Sequence, residues 1–192
     1  MPYRKREFGK GGYFHVFNRG VNKEEIFFSK ENYLYFLSLV RKYSELYSIT
    51  IIAYCLMPNH FHLLLRQDND VPISKFINVT LNAYVQGVNK QLDRKGPLFE
   101  GRFKHIKIEN PKYLIHLCRY IHLNPVSAAI VKDPGDWANS NYLEWIGLRN
   151  GKLQDADFIA SQFKDRKDYK SFCLDLIDEK ELLKKLDKYL LE

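Results

Sequence analysis

Two apolar runs joined by two residues constrain this chain more than anything else in it. Ile49-Thr50-Ile51-Ile52-Ala53-Tyr54-Cys55-Leu56 reads as a strand, Pro58-Asn59 as a tight turn, and His60-Phe61-His62-Leu63-Leu64-Leu65 as the strand that returns. The fold must therefore contain a buried antiparallel pair. Successive side chains of a strand point to opposite faces. Phe61, Leu63 and Leu65 then anchor the second strand on one side, while His60 and His62 project together from the other. Two convergent imidazoles suit a divalent metal ion, because neutral imidazole is the commonest protein metal ligand. They also suit a half-buried strand with two hydrogen-bonded histidines, since two ligands do not complete a site.

The rest of the pattern sets this hairpin in an α+β frame. Tyr13-Phe14-His15-Val16-Phe17-Asn18 is rich in strand formers and ends at the turn signal Arg19-Gly20. Ser29 is placed to cap a helix, in which Tyr33, Phe36, Leu37, Val40, Tyr43 and Tyr47 recur at three- and four-residue steps. A second helix starts at Pro72, with Phe76, Ile77, Leu81, Tyr84, Val85 and Val88 on its apolar side, and breaks at Gly96-Pro97. Phe103 to Ile108 alternates apolar and basic residues as a last strand would. Asn110-Pro111 opens a third helix with the core stripe Leu114, Leu117, Cys118 and Ile121, which Pro125 is expected to stop. The order is that of a ferredoxin-like βαββαβ unit: an antiparallel sheet with helices packed on it, one helix added. Three segments follow: a basic flexible arm over 1–12, the sheet domain over 13–132, and a C-terminal helical extension over 133–192. The extension fits either a cap on the sheet domain or a separate binding element.

Charge points to a polyanionic partner. The chain carries +7, and Gly151 to Glu192 holds nine Lys/Arg against ten Asp/Glu, so residues 1–150 carry +8. A basic domain with a neutral tail suits nucleic acid first. No apolar run approaches the ~20 residues that span a bilayer, so no membrane partner is expected. Cys55, Cys118 and Cys173 are odd in number and far apart, as expected of reduced thiols in the cytoplasm.

The third helix contributes Tyr120 and Asn124, four residues apart and so on one helix face, distinct from the Leu117/Ile121 stripe. An Asn124 amide oxygen beside His60 and His62 would suit an oxygen-loving octahedral ion, Mg²⁺ or Mn²⁺, with positions left for water and substrate phosphate. Taken singly, Tyr120 is one of 13 tyrosines and Asn124 a helix cap before proline.

Together, His60-Phe61-His62, Phe99-Glu100-Gly101-Arg102-Phe103 and Tyr120-Ile121-His122-Leu123-Asn124-Pro125 resemble the single-tyrosine HUH transposases, and among them the REP-associated tyrosine transposases. His15-Val16-Phe17-Asn18-Arg19-Gly20 resembles their first strand, and the likeness covers roughly residues 10–130. The resemblance implies a metal-dependent single-stranded DNA endonuclease and strand transferase acting on DNA hairpins. His60, His62 and Asn124 would be the metal ligands and Tyr120 the nucleophile that forms a 5′-phosphotyrosine link. Arg4, Lys5, Arg6, Lys10, Arg19, Arg102 and Lys104 are the candidate DNA contacts, and the working unit would be a monomer or homodimer. The alternative is a ferredoxin-like single-stranded nucleic-acid-binding module without catalysis, which would need exposed aromatics on an open sheet face.

Overall fold

Strand and helix follow one another as the periodicities require: β1 (Tyr13–Arg19), α1 (Lys30–Tyr47), β2 (Ile49–Met57), β3 (His60–Gln67), α2 (Ile73–Gln91), β4 (Lys104–Ile108) and α3 (Pro111–Ser127). This computed structural model describes residues 8–177. Arg4, Lys5 and Arg6 of the expected arm, and any helix beyond Ile177, lie outside the described residues. The sheet runs β2-β3-β1-β4 with every neighbouring pair antiparallel, which is the ferredoxin-like order.

Alternation along the strands builds two cores. Phe14 and Val16 of β1 and Phe61, Leu63 and Leu65 of β3 face α1 and α2, where they meet Phe36, Val40, Phe76, Ile77 and Tyr84. Each such side chain, fully buried, contributes about 2–3 kcal/mol. The opposite face carries Ile52, Cys55, Met57 and Leu64, which pack under Leu114, Leu117 and Ile121 of α3. A bulge between Ile51 and Ala53 breaks strict alternation, so Ile52 and Ala53 both join this second core. The histidine face of the sheet is thus a second packed interior and not an open platform.

Two expectations are corrected. Pro125 does not stop α3, which continues to Ser127 with the proline inside it. Proline lacks the N–H that would meet the Ile121 carbonyl and crowds that carbonyl, yet the helical turn carries on past it, with the Ala128 N–H donating to the Asn124 carbonyl at 2.9 Å. Asn124 therefore projects from helical backbone instead of capping a helix end. The last strand starts at Lys104 and not at Phe103.

The extension caps the sheet domain. Residues 139–141 run along the outer edge of β2, where the Leu56 N–H donates to the Asn139 carbonyl at 2.9 Å. Asn141 accepts the Tyr54 N–H at 2.7 Å and donates to the Ile52 carbonyl at 3.0 Å, which also takes the Trp145 indole N–H at 3.1 Å. The short helices α4 (Tyr142–Trp145), α5 (Ala156–Gln162) and α6 (Arg166–Ile177) then bury Tyr142, Trp145, Ile159 and Tyr169 against α3 and the sheet. All three cysteines are buried free thiols. Among the described residues no helix is long and apolar enough to cross a membrane.

Candidate active site

His60 and His62 leave β3 on the face that α3 covers, and α3 presents Tyr120 and Asn124 to them. The Asn124 side chain bridges the two rings: its Oδ1 lies 3.1 Å from His60 Nε2 and its Nδ2 lies 3.3 Å from His62 Nε2. The Tyr120 ring stands edge-on to His62, with centroids 5.6 Å apart and planes at 81°. All four residues expected at the site are thus brought together from two elements far apart in sequence. The other histidine of the third-helix motif, His122, lies about 200° round the helix from Tyr120. It faces the extension, where its Nδ1 meets the Tyr169 hydroxyl at 2.6 Å and its Nε2 meets Asn141 Oδ1 at 2.8 Å.

Burial sets the protonation states. His62 is 1% exposed, and desolvation, with His15 and His60 beside it, holds its pKa well below the usual histidine range. Desolvation also lowers His60, helped by the nearby Arg19 charge and opposed by the Asn124 bond. Both rings are therefore neutral at pH 7, the state that binds metal. Burial pushes the Tyr120 hydroxyl up to about 12, against a lowering hydrogen bond from Asn124, so the phenol keeps its proton until substrate arrives.

The donor set suits a divalent cation. The Lys23 carbonyl takes the Asn59 amide N–H at 3.1 Å, which turns Asn59 Oδ1 toward His60 Nδ1 at 2.6 Å. Oδ1 only accepts, so this contact is a hydrogen bond when the His60 ring proton sits on Nδ1. With the proton on Nδ1, His60 Nε2 and Asn124 Oδ1, 3.1 Å apart, would both be free to donate a lone pair to a divalent cation. Among the described residues no cluster of three or more His, Cys, Asp or Glu could hold a metal ion. Two imidazoles and one amide oxygen would leave coordination positions for water and phosphate.

Two residues near the site escaped sequence reading. His15 of β1 is fully buried and its Nε2 lies 3.0 Å from His62 Nδ1, with the rings stacked 5.1 Å apart. Its parity in β1 put it on the histidine face, but only the pairing of β1 beside β3 brings the rings together. Asn59 read only as a turn residue. Of the candidate DNA contacts, Arg19 pairs with Glu100 at 3.0 Å, beside exposed Arg102 and Lys104. Lys10 is exposed in the turn before β1, and Arg19 ends that strand about 20 Å beyond Tyr13.

The family model described as "Transposase IS200 like" matches residues 10–124, from just before β1 through Asn124. The chain belongs to the IS200-like transposase family. Membership implies DNA cleavage and rejoining. A curated Haemophilus influenzae protein assigned by name to the REP-associated tyrosine transposases is 25% identical over 152 residues, 74% of this chain and 86% of its own length. A solved REP-associated tyrosine transposase bound to a REP hairpin superimposes with a TM-score of 0.59 at 19% identity. That match covers 81% of this chain and 98% of the other, and it bears out the α+β fold of this family member.

Proposed function

We propose that this IS200-like transposase nicks and rejoins single-stranded DNA at hairpins, using Tyr120 as nucleophile and a divalent metal held by His60, His62 and Asn124. One observation carries the reading: a single helix delivers a tyrosine and a metal-competent amide, one turn apart, onto a pair of neutral imidazoles. Tyr120 Oη attacks the scissile phosphorus and gives up its proton. The tyrosine–phosphorus bond forms, the bond to the 3′ oxygen breaks, and that oxygen leaves as a free 3′-hydroxyl after taking up a proton. Bound Mg²⁺ or Mn²⁺ supplies stabilisation of the charge that builds on the phosphoryl oxygens. Asn124 also hydrogen-bonds the attacking hydroxyl. The second core around Ile52, Met57 and Ile121 excludes water from the back of the site. The hairpin-bound structural relative supports the choice of substrate. A stacking-only binding module is disfavoured, because α3 and the extension cover the sheet face it would need.

The test is a denaturing gel of a labelled imperfect DNA hairpin incubated with the full chain and Mn²⁺. A slow, protease-sensitive adduct that EDTA prevents is the expected result, and an adduct indifferent to EDTA would remove the metal. His60→Ala should abolish Mn²⁺ binding in a calorimetric titration. Asn124→Ala should only weaken it, because water can replace one neutral oxygen ligand. Undiminished binding by His60→Ala would dismiss this ligand set.

The +8 surplus on residues 1–150 supports a phosphate-binding surface, and the three free thiols support work in the cytoplasm, where the chain would act as a monomer or homodimer. Deleting residues 1–10 removes Arg4, Lys5, Arg6 and Lys10. The slope of log affinity against log salt should then flatten by up to about 3, given roughly 0.7 per phosphate contact on single strands. An unchanged slope would place the arm off the DNA.

A further inference from the structure

The segment between β1 and α1 has an unusual backbone for a connection of its length. Asn22 and Lys23 both adopt left-handed conformations, with φ of 55° and 62°, although neither is glycine. Such residues persist only where their surroundings enforce them, and they gather at functional sites. Just before them, a Cβ on Gly20 would collide with the Glu24 carbonyl oxygen, so the turn closes only with glycine there. The segment wraps the tip of the β2–β3 hairpin. The Gly20 N–H donates to the Asn59 carbonyl at 2.8 Å, and the Ile26 and Phe27 N–H groups both donate to the Pro58 carbonyl, at 2.8 and 3.1 Å. Held this way, the Lys23 carbonyl points at the Asn59 side chain.

We propose that Asn59, clamped by this segment, is a positioning residue that fixes His60 in its Nδ1–H tautomer and so presents the Nε2 lone pair to the site. The proposal rests on the reading of His60 as a metal ligand. Its logic uses acceptor and donor chemistry alone. A backbone carbonyl can only accept, so Lys23 selects the NH₂ end of the Asn59 amide. The oxygen end then faces His60 Nδ1 at 2.6 Å, and that oxygen can only accept, so the ring proton must sit on Nδ1. In a free neutral imidazole the proton favours Nε2, the atom aimed at Asn124. Asn59 reverses that preference before any ion or DNA arrives. The strained pair Asn22–Lys23 thereby acts at a distance, through one carbonyl, on which nitrogen of His60 can coordinate.

Long-range ¹H–¹⁵N correlation of the imidazoles tests this on the full chain without metal, alongside Mn²⁺ calorimetry. Wild type should show His60 with a protonated Nδ1 and a bare Nε2. Asn59→Ala should move the proton to Nε2 or leave a mixture, and weaken Mn²⁺ binding about 10-fold, as loss of a ligand's outer partner typically does. Asn59→Asp keeps an acceptor for Nδ1–H and should retain both the tautomer and affinity within a few-fold. A residue that merely stabilised the turn would lower the unfolding midpoint in both variants without moving the proton. Asn59→Leu, of similar size and with neither donor nor acceptor, repeats the test if the alanine variant does not fold. A wild-type tautomer or wild-type Mn²⁺ affinity in the non-acceptor variant would overturn the proposal. If His60→Ala still binds Mn²⁺, the ligand reading has failed. If His60→Ala loses Mn²⁺ while Asn59→Ala does not, the positioning role alone has failed.

Discussion

Tyr120→Phe should eliminate both the covalent DNA adduct and the nick, by on the order of 10⁴-fold or more, while Mn²⁺ and hairpin binding stay at wild-type levels. The substitution removes one oxygen. The ring stays edge-on to His62, and the Leu117 and Ile121 contacts of α3 are untouched. Without the hydroxyl no bond from protein to phosphorus can form. A nuclease that activated water at the same histidines would tolerate the change, because its nucleophile is not on the chain. The denaturing gel separates the two mechanisms. Nicking by Tyr120→Phe at the wild-type rate would end the tyrosine mechanism while leaving the metal site standing.

The second large effect is on stability. Asn141→Ala should destabilise the protein by roughly 3 kcal/mol or more, seen in urea unfolding as a lower midpoint with an unchanged slope. The side chain is fully buried and serves three partners: the Tyr54 N–H, the Ile52 carbonyl and His122 Nε2. Alanine leaves the Tyr54 N–H and the His122 ring without their partner in an interior that water does not reach. Tyr169→Phe, which leaves Asn141 in place and removes the hydroxyl that bonds His122 Nδ1 and the Cys173 thiol, should cost less, about 1 kcal/mol. Equal effects from the two variants would mean that Asn141 is not the pin between β2, α3 and the extension.

Most of the fold was legible because periodicity reports it directly. The parity of His60 and His62 against Phe61 placed them on one face, and the four-residue step placed Tyr120 with Asn124. What was not legible depends on register and loops. His15 became a neighbour of His62 only through the antiparallel pairing of β1 with β3, which no local pattern states. Asn59 gained a role from the Lys23 carbonyl 36 residues earlier, in a loop whose left-handed residues carry no glycine signal. The Pro125 stop signal was overruled by tertiary packing, since α3 is held from both sides close to its end. The place of the extension was hidden in one asparagine within an Asn/Ser stretch that reads as an ordinary turn.

That two-sided grip on α3 has a consequence for how this chain can change length. Asn124 engages the sheet histidines from one side of the helix, while His122 bonds Asn141 and Tyr169 on the other. Arg119 likewise donates to the Phe172 carbonyl at 2.7 Å and lies over the Phe172 ring at 3.9 Å. Each residue added to or removed from a helix turns everything beyond it by about 100°. One insertion between Arg119 and Asn124 would swing the sheet-facing and extension-facing groups out of phase together, and no shift of the whole helix could restore both. Substitution can explore the outer surface of α3 freely, but its length between these residues is fixed to the single residue. Exposed connections such as residues 92–97 carry no such phase, and they are where related chains have room to grow or shrink.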